Sequence, residues 1–220
     1  MIKHGDIFEC GISAPDVVYI VCPGPNGKDH YSRIPDDAFV LATNKAVCVP
    51  LWYQTRWHVA QFWSFASVYK NRQDRPDLPD SNWWGDALTV DCVRVFGECL
   101  AVRPDIECDY SFEYRPDWNK EPNPGKLMPD ICRTGCSIAS APLQWAYWAG
   151  AKQVVYVGCD MYGDDYMDGT VNFGSSKSSP VKKDHRWGDT EMLNEIIAEC
   201  QLHGMKVYSL SETELDLEVI

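Results

Sequence analysis

The sequence predicts an α/β fold with a mainly parallel sheet. Two continuous apolar runs, at residues 17–22 and 39–43, are typical of strands that are buried on both faces, as strands are in parallel sheets. Near the end of the chain, an apolar strand, an amphipathic helix and another strand follow one another through short connections. That order is a βαβ unit, in which the two strands run parallel.

The first two thirds of the chain contain several weaker patterns. The polar connection between the two apolar runs has room for one helix or an irregular crossover. Three later segments are candidate strands: residues 57–63, 93–96 and 108–114. Pro76 and Pro79 mark a loop between the first two of them, and the Pro-, Asn- and Gly-rich stretch 116–129 predicts a long loop after the third.

The last third has clearer signals. Residues 136–149 are largely apolar and precede Gly150, which predicts a buried helix closed by a left-handed glycine. Pro142 lies inside this segment and indicates a kink or a later start. Residues 154–157 then form a central strand.

A second helix follows in this region, and Asp189 or Thr190 can cap it. Its apolar stripe comprises Met192, Leu193, Ile196, Ile197 and Cys200. It is expected to end at residues 203–204, before a strand at 205–209. Together the elements predict a Rossmann-like, doubly wound sheet with helices on both faces, in a single domain spanning residues 1–220.

The composition argues against several classes of protein. A formal net charge of −12 disfavours a broad surface for nucleic acid or anionic membranes. No window approaches the run of about 18 apolar residues that spans a membrane, and no signal peptide is evident, so we expect a cytoplasmic protein without a membrane span. The ten cysteines are scattered and are interpreted mostly as buried thiols. Cys132 and Cys136 lack the second pair that a zinc site needs, so no metal site is expected.

Doubly wound sheets bind ligands at the carboxyl ends of their strands. This rule brings three segments to one edge of the sheet: residues 22–27, 43–45 and 158–166. In the first, Gly24 and Gly27 would let the backbone approach a phosphate, and Pro23 and Pro25 stiffen the loop. The alternative is an ordinary structural turn. Without evidence from other segments, the residues of this loop favour that alternative.

Two further groups are open to two interpretations. Asn44 could hydrogen-bond a ribose or phosphate, or could simply form a turn or cap a helix. Arg133, Thr134 and Gly135 precede a helix, so they could bind an anion at its N-terminus, or Thr134 could be an ordinary cap.

The densest polar cluster is residues 158–166, where tyrosine hydroxyls could donate to a leaving phosphate and carboxylates could bind Mg²⁺. A solvated acidic loop is the alternative, but the position at the expected ligand edge favours function. Residues 161–188 are predicted to form a lid loop, rich in Gly, Ser and Lys from residue 169 onward. His185, near its end, is the natural general-base candidate, although a surface histidine is more often inert.

Several motifs in this order form a recognisable pattern: VVYIVCPGP, YSRIPDD, FVLATN, RTG, AKQVVYVGCDMYGDDY and DHRWGD. Over residues 17–47 and 131–210 the chain resembles the bacterial sialyltransferases of glycosyltransferase family 42 and the related group containing an archaeal 6-hydroxymethylpterin pyrophosphokinase. Pro23 stands where the sialyltransferases have a nucleotide-contacting Asn. The resemblance implies nucleotide-binding roles for Gly24, Pro25, Asn26, Asn44, Arg133, Thr134, Gly135, Gly158 and Asp160.

The resemblance also implies a mechanism. Tyr162 and Tyr166 would steady the departing phosphate without a metal, and His185 would take the proton of an acceptor hydroxyl. The expected function is therefore a transferase with a nucleotide-activated donor, most similar to an inverting, metal-independent sialyltransferase that uses a CMP-sugar. Its partners would be the nucleotide-sugar donor, a hydroxyl acceptor and possible further copies of the chain.

Two alternatives remain open. The pyrophosphokinase relatives imply ATP and Mg²⁺, for which Asp160, Asp164 and Asp165 offer hard oxygen ligands. The other alternative is a nucleotide-binding module that lacks catalysis.

Overall fold

The computed structural model describes residues 5–7, 9–57, 62–66, 83–97, 107–112, 138–161 and 180–220. The strands in this part are β1 (Gly5–Asp6), β2 (Val17–Val21), β3 (Phe39–Thr43), β4 (Phe62–Ala66), β5 (Val93–Gly97), β6 (Tyr110–Phe112), β7 (Gln153–Val157), β8 (Lys206–Ser209) and β9 (Glu218–Val219). The α-helices are α1 (Val49–Tyr53), α2 (Trp83–Thr89), α3 (Ser140–Trp148) and α4 (Pro180–Leu202). Three 3₁₀-helices cover Pro25–Asp29, Tyr31–Arg33 and Asn44–Cys48.

The described strands form one sheet in the order β1-β6-β5-β4-β3-β2-β7-β8-β9, and every neighbouring pair is parallel. This confirms the predicted α/β class with a parallel sheet. The chain adds β3 to β5 on one side of β2 and later places β7 to β9 on the other side. The strand order therefore reverses between β2 and β7, whose last residues, Val21 and Val157, are paired.

Side chains of the central strands alternate between two hydrophobic clusters, one on each face of the sheet. Val18 and Ile20 belong to the cluster that also contains Trp145 of α3 and Ile197 of α4. Val21 belongs to the other cluster, to which α1 and α2 contribute. Helices therefore cover both faces, and strands buried on both faces read as unbroken apolar runs in the sequence.

Helix α3 starts later than residue 136, as Pro142 indicated. It begins at Ser140, so Pro142 is its third residue, where a missing N–H leaves no intrahelical hydrogen bond unmade. Gly150 has a φ of +90°, in agreement with the predicted left-handed end of the helix.

Helix α4 contradicts the predicted cap at Asp189 or Thr190, because it begins at Pro180. Proline is favoured in the first turn of a helix, and the single Gly188 costs a helix only about 1 kcal/mol. The last part of the predicted lid loop, residues 180–188, is therefore helical. The apolar stripe itself is confirmed, since Leu193, Ile197 and Cys200 are fully buried.

The weaker strand predictions were partly right. Strands occur at β5 and β6, but the strand predicted at residues 57–63 begins only at Phe62. Trp57 lies in a loop, where it is buried and makes an edge contact with the ring of Tyr31 at 6.3 Å. The two-residue strands β1 and β9 were not predicted, because two residues carry no periodicity. The loop around Pro76 and Pro79 and the predicted long loop lie outside the described residues.

The described cysteines are free thiols, and the following are buried, as expected: Cys22, Cys48, Cys92, Cys108, Cys159 and Cys200. Among the residues that the structure describes, no helix has both the length and the apolar character required to cross a membrane.

Candidate functional site

Two loops meet where the strand order reverses: the glycine loop (residues 22–27) after β2 and the acidic loop (residues 158–161) after β7. The Gly24 N–H donates a hydrogen bond to the Gly158 carbonyl at 2.8 Å. A Cβ atom at Gly24 would lie 2.4 Å from that same oxygen, which is too short for a contact between non-bonded carbon and oxygen atoms. Gly24 has a φ of −70°, which suits any residue, so this close approach is what requires glycine here.

Gly27 and Gly158 extend the same contact. A Cβ on Gly27 would lie 2.9 Å from the Gly158 Cα, and a Cβ on Gly158 would lie 2.5 Å from the Cys22 carbonyl oxygen. Gly158 also has a φ of +70°, which side-chain-bearing residues rarely adopt. The two loops are therefore packed backbone against backbone.

Asp160 lies at the centre of this contact. Its Oδ2 accepts the Asn26 N–H at 2.9 Å, whereas its Oδ1 is buried and has no hydrogen-bond partner among the described residues. The residue is only 2% exposed. Burial raises the pKa of the Asp160 carboxyl to about 6, while the Asn26 hydrogen bond acts in the opposite direction.

The glycine loop differs from a phosphate cradle in one respect. The N–H groups of Gly24, Asn26 and Gly27 already donate to Gly158, Asp160 and Gly24 respectively. The Asp160 carboxylate takes the Asn26 N–H, and the other two N–H groups bond to backbone carbonyls. These three N–H groups are therefore engaged within the protein, and the phosphate contact of this loop stays a prediction.

A third segment, after β8, supports the acidic loop. The buried Ser211 Oγ accepts the Gly158 N–H at 2.9 Å, and the Glu214 N–H donates to the Asp160 carbonyl at 3.0 Å. Thr213 Oγ1 donates to the Cys159 carbonyl. Sequence reasoning missed these residues, although the polar stretch SLSETE directly after a buried strand was a usable signal.

The remaining described candidates lie at the same edge. Asn44 begins the 3₁₀-helix after β3, the neighbour of β2, and has a φ of 45°. This agrees with its interpretation as a turn former, and its ligand contact stays a prediction. Met161, at the end of the acidic loop, also has a left-handed φ of 61°. For a methionine this is an uncommon, strained conformation of the kind that occurs at functional sites.

Five predicted site residues lie outside the described part of the chain: Arg133, Thr134, Gly135, Tyr162 and Tyr166. Tyr162 follows Met161 directly, so the backbone that leads to it is at the expected edge. His185 lies within the first turns of α4 rather than in a loop before a helix, and only its backbone is described.

The Cys159 thiol of the described site is poorly suited to act as a nucleophile. The thiols of Cys22 and Cys159 form a hydrogen bond. This hydrogen bond, together with burial, raises the pKa of the Cys159 thiol. Among the side chains that the structure describes, no three of the types His, Cys, Asp and Glu converge to hold a metal ion.

Fold and site together define a doubly wound α/β protein with its candidate ligand site where the strand order reverses. No protein-family model matches the sequence, and no curated protein matches it. Among solved structures, the chain is similar to the sialyltransferase CstII from Campylobacter jejuni in complex with a substrate analogue, cytidine-5'-monophosphate. The sequence identity is 14% and the TM-score 0.42, over 90% of this chain and 81% of that chain. This is a distant similarity.

Proposed function

We propose that the protein is a transferase with a nucleotide-activated donor, specifically a sialyltransferase-like, inverting and metal-independent glycosyltransferase that uses a CMP-sugar. The observation that carries the proposal is the buried Asp160 carboxylate, whose Oδ1 has no partner among the described residues and lies where the strand order reverses. Nucleotides bind doubly wound sheets at this point.

The unpartnered oxygen fits the nucleoside part of the donor. A buried acceptor without a hydrogen bond costs about 1 to 3 kcal/mol, and a ligand hydroxyl that donates to it recovers this cost. In dinucleotide-binding sheets, an acidic side chain at the carboxyl edge binds a ribose hydroxyl in the same way. Asp160 therefore binds the ribose, and the glycine loop positions Asp160 through the Asn26 N–H.

The phosphate and the acceptor are assigned by the sequence resemblance. Arg133, Thr134 and Gly135 bind the phosphate, and the hydroxyls of Tyr162 and Tyr166 donate to it as it leaves. In the transfer step, the acceptor oxygen forms a bond to the anomeric carbon while the bond from that carbon to the phosphate oxygen breaks. CMP leaves with the bonding electrons, and the acceptor proton passes to His185.

Titration of the protein with CMP, followed by calorimetry, tests the nucleoside contact. We expect CMP to bind and Asp160→Asn to weaken it about 10- to 100-fold, since a hydrogen bond to a charged group contributes about 1.5 to 3 kcal/mol. Asp16→Asn is the matched control, because Asp16 is 71% exposed and pairs with Lys152 on the surface. Equal CMP affinity in the two variants would show that Asp160 does not contact the nucleotide.

Release of CMP from CMP-sialic acid in the presence of a sugar acceptor tests the chemistry. His185→Ala is expected to lower turnover by about 10² to 10⁴ while CMP affinity barely changes, as is usual for the loss of a general base. Unchanged turnover would exclude His185 as the base. CMP binding without turnover in the unaltered protein would favour the non-catalytic nucleotide-binding module.

The Asp160 Oδ1 also supports the second candidate, a pyrophosphokinase-like enzyme, because a free carboxylate oxygen is a ligand that Mg²⁺ prefers. That enzyme would convert ATP to AMP as it transfers a diphosphate, and a chelator would stop it. The proposed glycosyltransferase is expected to keep its full turnover in the chelator, so this measurement separates the two candidates.

A further inference from the structure

A cavity lies beside the glycine loop at the carboxyl edge of the sheet. Its volume is about 400 Å³, within the range of about 300 to 1,000 Å³ typical of small-molecule sites. The 3₁₀-helices after β2 form one wall, and the segment after β8 and the C-terminal strand form the others. None of these residues was among the predicted site residues except Asn26.

Asn26 joins the cavity to the candidate nucleotide site. Its backbone N–H holds the Asp160 carboxylate at 2.9 Å, and its side-chain Nδ2 lies 3.4 Å from the Glu212 carbonyl oxygen. Asn26 also lines the cavity. A molecule in the cavity would therefore lie next to whatever Asp160 binds.

The cavity offers hydrogen-bonding groups of both kinds. Neither the Asp29 nor the Glu212 carboxylate has a hydrogen-bond or ion-pair partner in the part of the chain that the structure describes, so both can accept. Arg33 Nη1 lies 3.2 Å from His30 Nδ1, and Arg33 Nη2 donates to the Ile220 carbonyl at 2.9 Å. Since a guanidinium only donates, Nδ1 is the acceptor, and a neutral His30 ring carries its proton on Nε2. That N–H is a donor.

Aliphatic side chains complete the lining, namely Leu210, Val219 and Ile220. This combination fits a sugar, whose C–H face packs on aliphatic groups while its hydroxyls donate to carboxylates and accept from an N–H. An anionic ligand is disfavoured, because the two carboxylates of the lining, Asp29 and Glu212, outnumber its one guanidinium, Arg33.

We propose that this cavity binds a small neutral sugar and is the acceptor subsite of the protein. The sugar part of the inference stands on the cavity alone, whereas its role as acceptor subsite rests on the proposed transferase function. The acceptor is then a small polyhydroxylated molecule, and one of its hydroxyls is the nucleophile of the transfer step. Asp29 and Glu212 orient it by accepting hydrogen bonds from its other hydroxyls.

The test is ligand-observed NMR on the full chain without nucleotide, with the methyl glycosides of glucose, galactose, mannose and N-acetylglucosamine at millimolar concentration. We expect at least one glycoside to bind, and Glu212→Gln and Asp29→Asn each to weaken that binding about tenfold, since each loses a charge-assisted hydrogen bond. Asp16→Asn is again the matched surface control. Thermal melts check that the variants are folded.

CMP titration of the same variants separates this inference from the proposed function. Loss of glycoside binding with CMP affinity retained supports both proposals. Glycoside binding in a protein that does not bind CMP supports the sugar site and refutes the donor. Absence of binding for all four glycosides, or binding that neither carboxylate variant weakens, overturns the sugar site whatever CMP does.

Discussion

Replacing Asp160 by Asn is expected to change how the stability of the protein depends on pH. The pKa of the carboxyl is raised from 3.8 to about 6 by burial, so the folded state holds this proton more tightly than the unfolded chain does. The resulting stabilisation is fully present below about pH 4 and is lost as the pH rises through about 6. Above pH 7 the buried charge is present and the stabilisation is gone.

The size of the effect follows from the pKa difference. The change from 3.8 to about 6 corresponds to at most about 3 kcal/mol of unfolding free energy. Relaxation of the surrounding structure and water penetration reduce this figure, and we expect about 1 to 2 kcal/mol. The amide that replaces the carboxyl in the Asp160→Asn variant does not titrate, so the variant lacks this contribution at every pH.

Urea unfolding of the unaltered protein and of Asp160→Asn, at pH 4 and pH 7.5, measures the effect. The difference in unfolding free energy between the two proteins is expected to move by about 1 to 2 kcal/mol in favour of the variant at the higher pH. Any constant effect of the substitution cancels in this comparison. Asp16→Asn, at an exposed carboxylate, is the control and should show no such movement. Parallel pH profiles for Asp160→Asn and the unaltered protein would refute the assignment of a raised pKa to a buried Asp160.

The packing of the two loops leads to two further predictions. Gly24→Ala is expected to lower the unfolding free energy by about 2 to 4 kcal/mol and to weaken CMP binding, because the new Cβ overlaps the Gly158 carbonyl. Gly204→Ala is the control, because Gly204 has a φ of +91° and open space around it. This variant should lower the unfolding free energy but leave CMP affinity unchanged. Equal CMP affinities in the two variants would contradict the role of the loop contact. Ser211→Ala is expected to cost about 1 to 3 kcal/mol in urea unfolding, because it leaves the buried Gly158 N–H without an acceptor. Thr89→Ala removes an exposed hydroxyl and should lower the unfolding free energy much less. Similar losses of unfolding free energy in Ser211→Ala and Thr89→Ala would show that the buried hydrogen bond contributes little to stability.

Much of the sheet could be predicted because its central strands are buried on both faces. Continuous apolar runs at β2, β3 and β7 carry that information locally, and so does the stripe of Leu193 and Ile197 on α4. The start of α4 could not be predicted, since Pro180 and Gly188 are compatible with either a helix or a loop. The true start of β4 at Phe62 was obscured by Trp57, whose burial in a loop looks in sequence like one more apolar strand position.

The candidate site could be predicted from the sequence only in part. Residues at the carboxyl ends of β2, β3 and β7 were predictable, because parallel strands bring those ends to one edge. For Gly24 the sequence left a phosphate contact and a structural turn open, because a glycine needed for close approach looks the same whether a phosphate or another loop of the protein approaches it. Ser211 was missed because its partner, the Gly158 N–H, is distant in sequence.

The sequence by itself determined the class of fold, since burial on two faces and the βαβ order produce local sequence patterns. It also predicted the edge of the sheet at which a ligand would bind. The tertiary structure alone decided that the glycine loop packs on the acidic loop, that Asp160 is buried with one oxygen unpartnered among the described residues, and that a cavity opens beside Asn26. The physical reason is that each of these features depends on atoms more than a hundred residues apart in the chain. Their distances, and the desolvation that follows from them, exist only once the chain has folded.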